Sequence, residues 1–366
     1  MASPLLYSNV KLHTVSGLEK FTLRLHTADQ LWDSIRRIPY STPGRWVQNL
    51  DLSKITAIDG SRQGFVIDSL LTTLFPLIPF LENLTLSPVH PLSRRALTSL
   101  TNRDGSSNLR ILGGVCYIAT FSSAISIEED PLVRLLRTCH QLERLEVVGS
   151  DMEPVDAEPS SQEVMEIPPM TLKLDLPRLH TLTLLSMPSS SLMHALLHAG
   201  LPRLRTLCLT PYEDVPYPRA LTTRFLDVHG NSLSILSFFT PKSWPTRLHP
   251  SPRTLFRTCP NLCHLSLETP LPALVPPDAA DLGRAVMPLQ ILSIPRPNHD
   301  FWRTLETLLP SLSSLDVIRV RDIRWMRKGL NRHAQEAGVQ GEMRVWRQRL
   351  ARRGIRLLDG DWMDMV

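Results

Sequence analysis

Cysteine is scarce in this chain. There are five, Cys116, Cys139, Cys208, Cys259 and Cys263, in 366 residues. An odd, sparse set excludes a disulfide-stapled scaffold, and Met1 is not followed by a positively charged leader with an apolar core, so the expected compartment is reducing and intracellular, the cytoplasm and/or nucleus. Glycine (16) and aromatics (6%) are few, which excludes collagen-like chains. Long hydrophobic runs are missing as well. The longest stretch without a charged or histidine residue, Ile111 to Ile127, carries two Gly, one Thr and three Ser and falls short of the roughly 20 apolar residues of a membrane-spanning helix. No membrane segment is expected. The net charge of +5 and the 42% hydrophobic content describe a globular chain or a repeat array rather than a disordered one.

What the chain has in abundance is leucine, 63 residues, together with 31 prolines. The leucines are not scattered. Leu-x-x-Leu-x-(Leu/Ile/Val/Phe) starts at Leu81, Leu142, Leu179, Leu204, Leu233, Leu262, Leu289 and Leu312, and degenerate copies start at Val47 and Leu109, the latter with Gly114 in the third place. Successive starts are 23 to 37 residues apart, about 29 on average, at the long end of the leucine-rich repeat range.

In a strand, the second and third motif leucines point to one face and their neighbours to the other. One short strand is therefore expected per repeat. Segments with helical spacing lie between strands: Phe65 to Phe75, Leu132 to Thr138, Leu192 to Ala199, Leu221 to Val228 and Phe301 to Leu309. Pro177, Pro202, Pro260, Pro288 and Pro310 stand just before motifs, where proline ends a helix and turns the chain. A single unit cannot bury its leucines, but stacked units can. The expected fold is an α/β leucine-rich-repeat solenoid of about ten repeats, curved, with a parallel inner sheet, outer helices and a helical C-terminal cap.

Two stretches depart from the period. Residues 150–170 carry six acidic side chains and no Lys or Arg, which reads as an acidic loop insertion. Beyond Arg319 the chain turns basic; there Met343, Trp346 and Leu350 make one apolar stripe, Gly354 suits a helix end, and Ile355 and Leu357 could add a closing strand. The expected organisation is residues 1–15 as a leading segment, 16–322 as the solenoid with the 150–170 insertion, and 323–366 as a basic cap.

The units around Cys259-Pro260-Asn261-Leu262-Cys263-His264-Leu265-Ser266-Leu267 and Cys139-His140-Gln141-Leu142 resemble the cysteine-containing leucine-rich repeats of F-box proteins. The stretch Ala2 to Leu12, continuing to Gly44-Arg45-Trp46-Val47-Gln48-Asn49-Leu50-Asp51-Leu52, is similar to the region that directly follows the F-box in large fungal F-box families, and Arg353-Gly354-Ile355-Arg356-Leu357 looks like their closing helix and strand. The resemblance implies a substrate receptor of an SCF-type ubiquitin ligase, in which the repeats hold the substrate and the F-box docks on the adaptor. The F-box itself does not occur in these residues. Adaptor binding is therefore expected only if an F-box lies upstream. The alternatives are a stand-alone repeat scaffold or inhibitor unrelated to ubiquitin, and a nucleic acid binder working through the basic C-terminus.

Candidate chemistry is thin. Cys259, Cys263 and His264 invite a metal or haem reading, but Cys-x-x-x-Cys-His has one residue too many for haem attachment and no second ligand pair follows. Gly-x-Ser-x-Gly, His-Glu-x-x-His, Gly-x-Gly-x-x-Gly and phosphate-loop patterns do not occur. No catalytic residues, metal or cofactor are expected, and the chain is read as a non-enzymatic binder. Its partner would be a protein on the concave face, met by outward strand positions: Asn83, Thr85, Arg144, Glu146, Thr181, Thr183, Thr206, Ser237, His264, Ser266 and Asp316. The plainer alternative is that these small hydroxyls satisfy strand propensity on a solvated sheet. Neither a membrane nor nucleic acid is the expected partner.

Overall fold

The computed structural model describes residues 3–31, 42–55, 60–118, 130–149, 174–187, 190–210, 212–213, 221–240, 249–250, 255–268, 274, 287–325 and 338–364. The 150–170 insertion and residues 326–337 of the basic segment lie outside them. The chain divides into two compact units, the first chiefly Met1–Leu204 and the second chiefly Arg205–Pro218, Thr222–Thr240 and His249–Val366.

The first unit runs α1 (Ser3–Ser8), β1 (Asn9–Lys11), α2 (Val15–Gln30), β2 (Asn49–Asp51), α3 (Gly60–Leu74), β3 (Asn83–Thr85), α4 (Arg94–Asn102), β4 (Ile111–Tyr117), α5 (Pro131–Thr138), β5 (Arg144–Gly149), β6 (Thr181–Leu185) and α6 (Ser191–Leu197). Its strands lie side by side in chain order, all parallel. The second unit runs β7 (Thr206–Leu209), β8 (Tyr212–Glu213), α7 (Leu221–His229), β9 (Ile235–Phe238), β10 (His249–Pro250), α8 (Leu255–Thr258), β11 (His264–Ser266), β12 (Ile291–Ile294), α9 (His299–Leu308), β13 (Val317–Val320), α10 (Gly338–Ala351) and β14 (Arg356–Leu358). Here β7, β9, β11, β12, β13 and β14 are parallel neighbours in that order, while β8 and β10 form a separate antiparallel pair. Strands that are parallel need a crossover between them, and helices supply most of those crossovers.

The leucine period explains the packing. In register, Leu50, Leu84, Leu112, Leu145 and Leu182 stand level with one another, as do Leu207, Leu236, Leu265, Leu292, Ile318 and Leu357 in the second unit, and all are buried. Burial of each such side chain contributes about 1.5–3 kcal/mol. The helix starts carry their own signals. Thr14, Ser93, Asp130, Ser190 and Asn298 each accept hydrogen bonds from backbone N–H groups in the first turn of α2, α4, α5, α6 and α9.

Helices occur at all five expected segments, with shifted ends. Four more, α1, α2, α4 and α8, were not legible: α2 buries only Leu18, Thr22 and Leu25, a narrow stripe, α4 has only nine residues, and α1 and α8 are shorter still. The cap forms as α10, with Met343, Trp346 and Leu350 buried and Trp346 stacked on Trp302 of α9 at 4.2 Å. Gly354 takes the left-handed conformation (φ +78°) and β14 pairs with β13.

Two repeats depart from the expected phase. At Leu109 the third inward place belongs to Val115, because Gly114 is an extra residue: the β4–β5 register jumps between Leu112 and Val115, and Gly114 has φ +66°. At Leu312 the frame is three residues late. A 3-10 turn at Leu309–Ser311 continues α9, Leu312 falls in the following turn, and the strand is Val317–Val320 with Leu315, Ile318 and Val320 inward. Asp316 is thus not an outward strand residue. It stands one place before β13, where its N–H donates to the Gln290 carbonyl.

Candidate binding face

The outward strand positions form two rows in each unit. In the first unit the rows are Asn9, Asn49, Asn83, Ile111, Arg144, Thr181, and Lys11, Asp51, Thr85, Gly113, Glu146, Thr183. The first row opens with an asparagine ladder: the Asn49 amide donates to Asn9 Oδ1 (2.5 Å) and the Asn83 amide donates to Asn49 Oδ1. Each amide is held in place by the next, which presents a rigid polar edge. The ladder stops at Ile111, and the Asn83 Oδ1 is buried with no hydrogen-bond partner among the described residues. Beside it, Asp51 accepts from the Ser53 N–H (3.0 Å) and hydroxyl (2.7 Å); these bonds, Ser53's hydroxyl foremost, hold its carboxyl below the ordinary value.

Gly113 is buried between its neighbours on this face: a Cβ there would meet Glu146 Oε2 at 3.5 Å and Thr85 Cγ2 at 3.6 Å. Asn83, Thr85, Glu146, Thr181 and Thr183 are half-buried and Arg144 is exposed. The structure therefore brings six of the sequence-derived residues, Asn83, Thr85, Arg144, Glu146, Thr181 and Thr183, together on adjacent strands. Just outside them, Glu82 and Arg110 form an exposed ion pair (3.6 Å).

In the second unit the rows are Thr206, Ile235, His264, Ile291, Val317, Arg356, and Cys208, Ser237, Ser266, Ser293, Arg319, Leu358. Thr206 and Ser237 are half-buried there as expected of outward positions. Ser266 and Ser293 are not available: their register points outward, yet they are 7% and 1% exposed. His264 Nε2 lies 3.0 Å from the Ser293 hydroxyl, and its ring meets the Trp362 ring edge-on with centroids 6.4 Å apart. Burial, and then the charge of Arg319, push His264 below its ordinary pKa, so it is neutral at pH 7. The Arg319 guanidinium lies 4.5 Å from the centroid of the Trp362 ring. Residues 359–364 thus return from β14 across the outward face of β13 and β12 as far as β11.

Sequence reasoning missed Gly113, Arg319 and Trp362. Arg319 was hidden by the phase error at Leu312, and a frame shifted by three residues would have found it; Gly113 held an outward place in the expected frame but has no side chain to signal a role. Trp362 carried no signal, because its contacts lie 43 and 98 residues away in sequence.

Three of the five cysteines, Cys116, Cys139 and Cys259, are buried. Burial pushes the Cys139 and Cys259 thiols up to about 11, and Cys259 packs where a Cβ on Gly230 would come within 2.8 Å of its sulfur. Cys263 is half-buried beside the Asn261 carbonyl. Among the described residues no three His, Cys, Asp or Glu side chains are grouped to hold a metal, and no helix is long and apolar enough to cross a membrane.

Four arginines of the basic segment pair with acids: Arg321 with Glu268 (3.1 Å), Arg324 with Asp361 (3.0 Å), Arg347 with Asp364 (3.2 Å) and Arg349 with Glu306 (3.2 Å). Trp346, one of two rings that could stack on bases, is buried against Trp302, and the other, Trp325, donates its ring N–H to the Met363 carbonyl. No protein-family model matches the chain, and no curated protein does.

Proposed function

We propose that this chain is a non-enzymatic protein-recognition module, a leucine-rich-repeat solenoid that holds an extended partner segment against its outward strand face. By the resemblance of its repeats, its role is that of the substrate-holding arm of an F-box-type ubiquitin-ligase receptor, with ligation chemistry supplied by other subunits. One observation carries the reading. In the first unit, neighbouring parallel strands present directional polar groups side by side: the asparagine ladder, Thr85, Glu146, Arg144, Thr181 and Thr183. Main-chain groups of a parallel sheet are already satisfied laterally, so such a face offers side chains alone, which suits reading a partner's side chains.

The test is site-specific photocrosslinking in cells from Thr85 and Thr183, with Arg134 on α5 as control. A discrete partner crosslinked from the strand face, absent from the control and lost in Arg144→Glu, supports recognition by this face; crosslinks distributed equally between face and helix refute it. Partner half-life then separates the roles. A half-life that lengthens when the chain is depleted supports the ligase-receptor reading, and one that does not change favours a scaffold or inhibitor.

A further inference from the structure

The segment 359–364, Asp-Gly-Asp-Trp-Met-Asp, has the composition of a ligand rather than of a core element: three carboxylates, one aromatic ring and no cation. It lies on the outward face of the second unit. The Trp362 ring rests on Arg319 and against the edge of His264, and Arg319 also donates to the Gly360 carbonyl. Asp361 and Asp364 pair with Arg324 and Arg347, whose side chains are 78% and 39% exposed.

Its side-chain contacts are open to solvent: Trp362 stays 44% exposed and both ion pairs are accessible, and Trp362 sits at φ +63°, a left-handed conformation that a bulky residue rarely adopts. That conformation is imposed from outside the face. Asp359 accepts from the N–H groups of Asp361 (2.9 Å) and Met363 (2.8 Å) on one oxygen and from Trp325 N–H (3.0 Å) on the other, which ties the segment into a tight turn. Asp359 is itself buried and belongs to the fold; beyond it the ion pairs and the ring are joined by Gly360 N–H donating to the Ile323 carbonyl (2.7 Å), by the Asp359 N–H and the Trp325 ring N–H donating to the Met363 carbonyl (3.0 and 2.9 Å), and by a bridge between Asp364 and Leu358. Lifting them would release the strained residue and uncover Arg319, His264 and Ser293, a cation over hydrogen-bonding groups, flanked by Arg324 and Arg347.

From this we infer that the outward face over β11–β13 is a docking site for an acidic protein segment carrying an aromatic residue, and that residues 360–364 occupy it as the chain's own competing occupant. The inference rests on the reading that strand faces of this chain recognise protein segments, and it adds a second site with a stated partner chemistry. Charge complementarity names the partner: the resident segment is acidic and the groups that hold it are cationic or hydrogen-bonding. Cation–π contact with Arg319 selects the aromatic residue.

The probe is a fluorescently labelled, amidated peptide of residues 359–364, titrated by fluorescence polarisation against three proteins: the intact chain, a chain stopped after Gly360, and intact Trp362→Ala. With a tethered segment at an effective concentration on the order of 1 mM and a peptide Kd of about 100 µM, the intact chain should bind about tenfold more weakly than the stopped chain. Trp362→Ala, which keeps both ion pairs, should bind more tightly than the intact chain and less tightly than the stopped one. A peptide with Trp replaced by Ala should lose most of its affinity, and added salt should weaken binding. If the stopped chain loses its cooperative melting transition, Trp362→Ala carries the comparison. The inference is overturned if the opened chains show no saturable binding up to about 1 mM peptide, or if intact and opened chains bind equally. Either failure leaves the first unit's face untouched, because the crosslinks from Thr85 and Thr183 report that surface alone.

Discussion

Gly113 and Gly114 are neighbours in β4, and alanine at each should have opposite effects. Gly114 is the inserted residue of a bulge, at φ +66°, and a Cβ there would lie 2.1 Å from the Leu86 carbonyl oxygen and 3.0 Å from its carbon. A left-handed alanine costs about 1–2 kcal/mol on its own. Relief of the contact must also move the β3–β4 connection, where Leu86 N–H donates to the Gly113 carbonyl at 2.8 Å, and weakening one such bond adds about 1 kcal/mol. Gly114→Ala should therefore destabilise by about 2–4 kcal/mol. Gly113 has no positive φ, and its added Cβ meets Thr85 and Glu146 only at ordinary van der Waals distances of 3.5 Å and more. There the loss of chain freedom in the unfolded state should win, stabilising Gly113→Ala by about 0.4–1 kcal/mol. Urea unfolding followed by far-UV circular dichroism gives the midpoints, and exchange of the Leu86 amide reports the bulge itself. Equal effects at the two sites, or a stable Gly114→Ala with a protected Leu86 amide, would refute the bulge and with it the register that places Glu146 beside Gly113.

Three further outcomes follow from the packing. Asp130 caps α5 through Leu132 and Val133 N–H (2.8 and 3.2 Å) and accepts from Tyr117 (2.7 Å) and Ser191 (2.5 Å) on its other oxygen; Asp130→Ala should cost about 2–4 kcal/mol, and in a double-mutant cycle part of that cost should vanish in a Tyr117→Phe background, where no buried hydroxyl is orphaned. Burial, and then the Asp130 charge, push the Tyr117 phenol above its ordinary value, so its folded state resists ionisation while the unfolded state ionises near pH 10; the stability it contributes is present below that pH and lost as pH rises beyond it. Stability of the unmodified chain should then fall relative to Tyr117→Phe between about pH 10 and 12, and a constant difference in urea midpoints would contradict this. Trp302→Ala removes the buried ring on which Trp346 stacks and should cost about 3–5 kcal/mol, opening α10 to amide exchange while the β7 amides keep their protection.

The repeat was legible because its cause is local. A strand that buries alternate residues must write Leu-x-Leu into the sequence, and a short helix packed on one side must write its own spacing, as Leu132, Val133, Leu135 and Leu136 do in α5. Asn83, Thr85, Arg144, Glu146, Thr181 and Thr183 were placed on one face for the same reason. Errors arose where two frames satisfy the same local rule. Leu312-x-x-Leu315-x-Val317 and Leu315-x-x-Ile318-x-Val320 both offer three apolar residues, and only pairing with β12, Ile291 opposite Val317, chooses the second. Gly114 likewise fills a motif position in the sequence and a bulge in the sheet, because the Leu86 carbonyl that excludes a side chain there belongs to another strand.

By itself, then, the sequence determined the α/β alternation, the identity of the buried leucines, most of the crossover helices and the helix-and-strand cap. Each depends on contacts within a turn of helix or along one strand. Tertiary structure alone decided which outward residues are accessible. Arg319 faces outward only in the register set by β12, Ser266 and Ser293 are buried despite pointing outward, and His264 lies under Trp362 from 98 residues further on. Periodicity encodes which side of a strand a residue takes, but whether that side is open depends on what the rest of the chain lays across it.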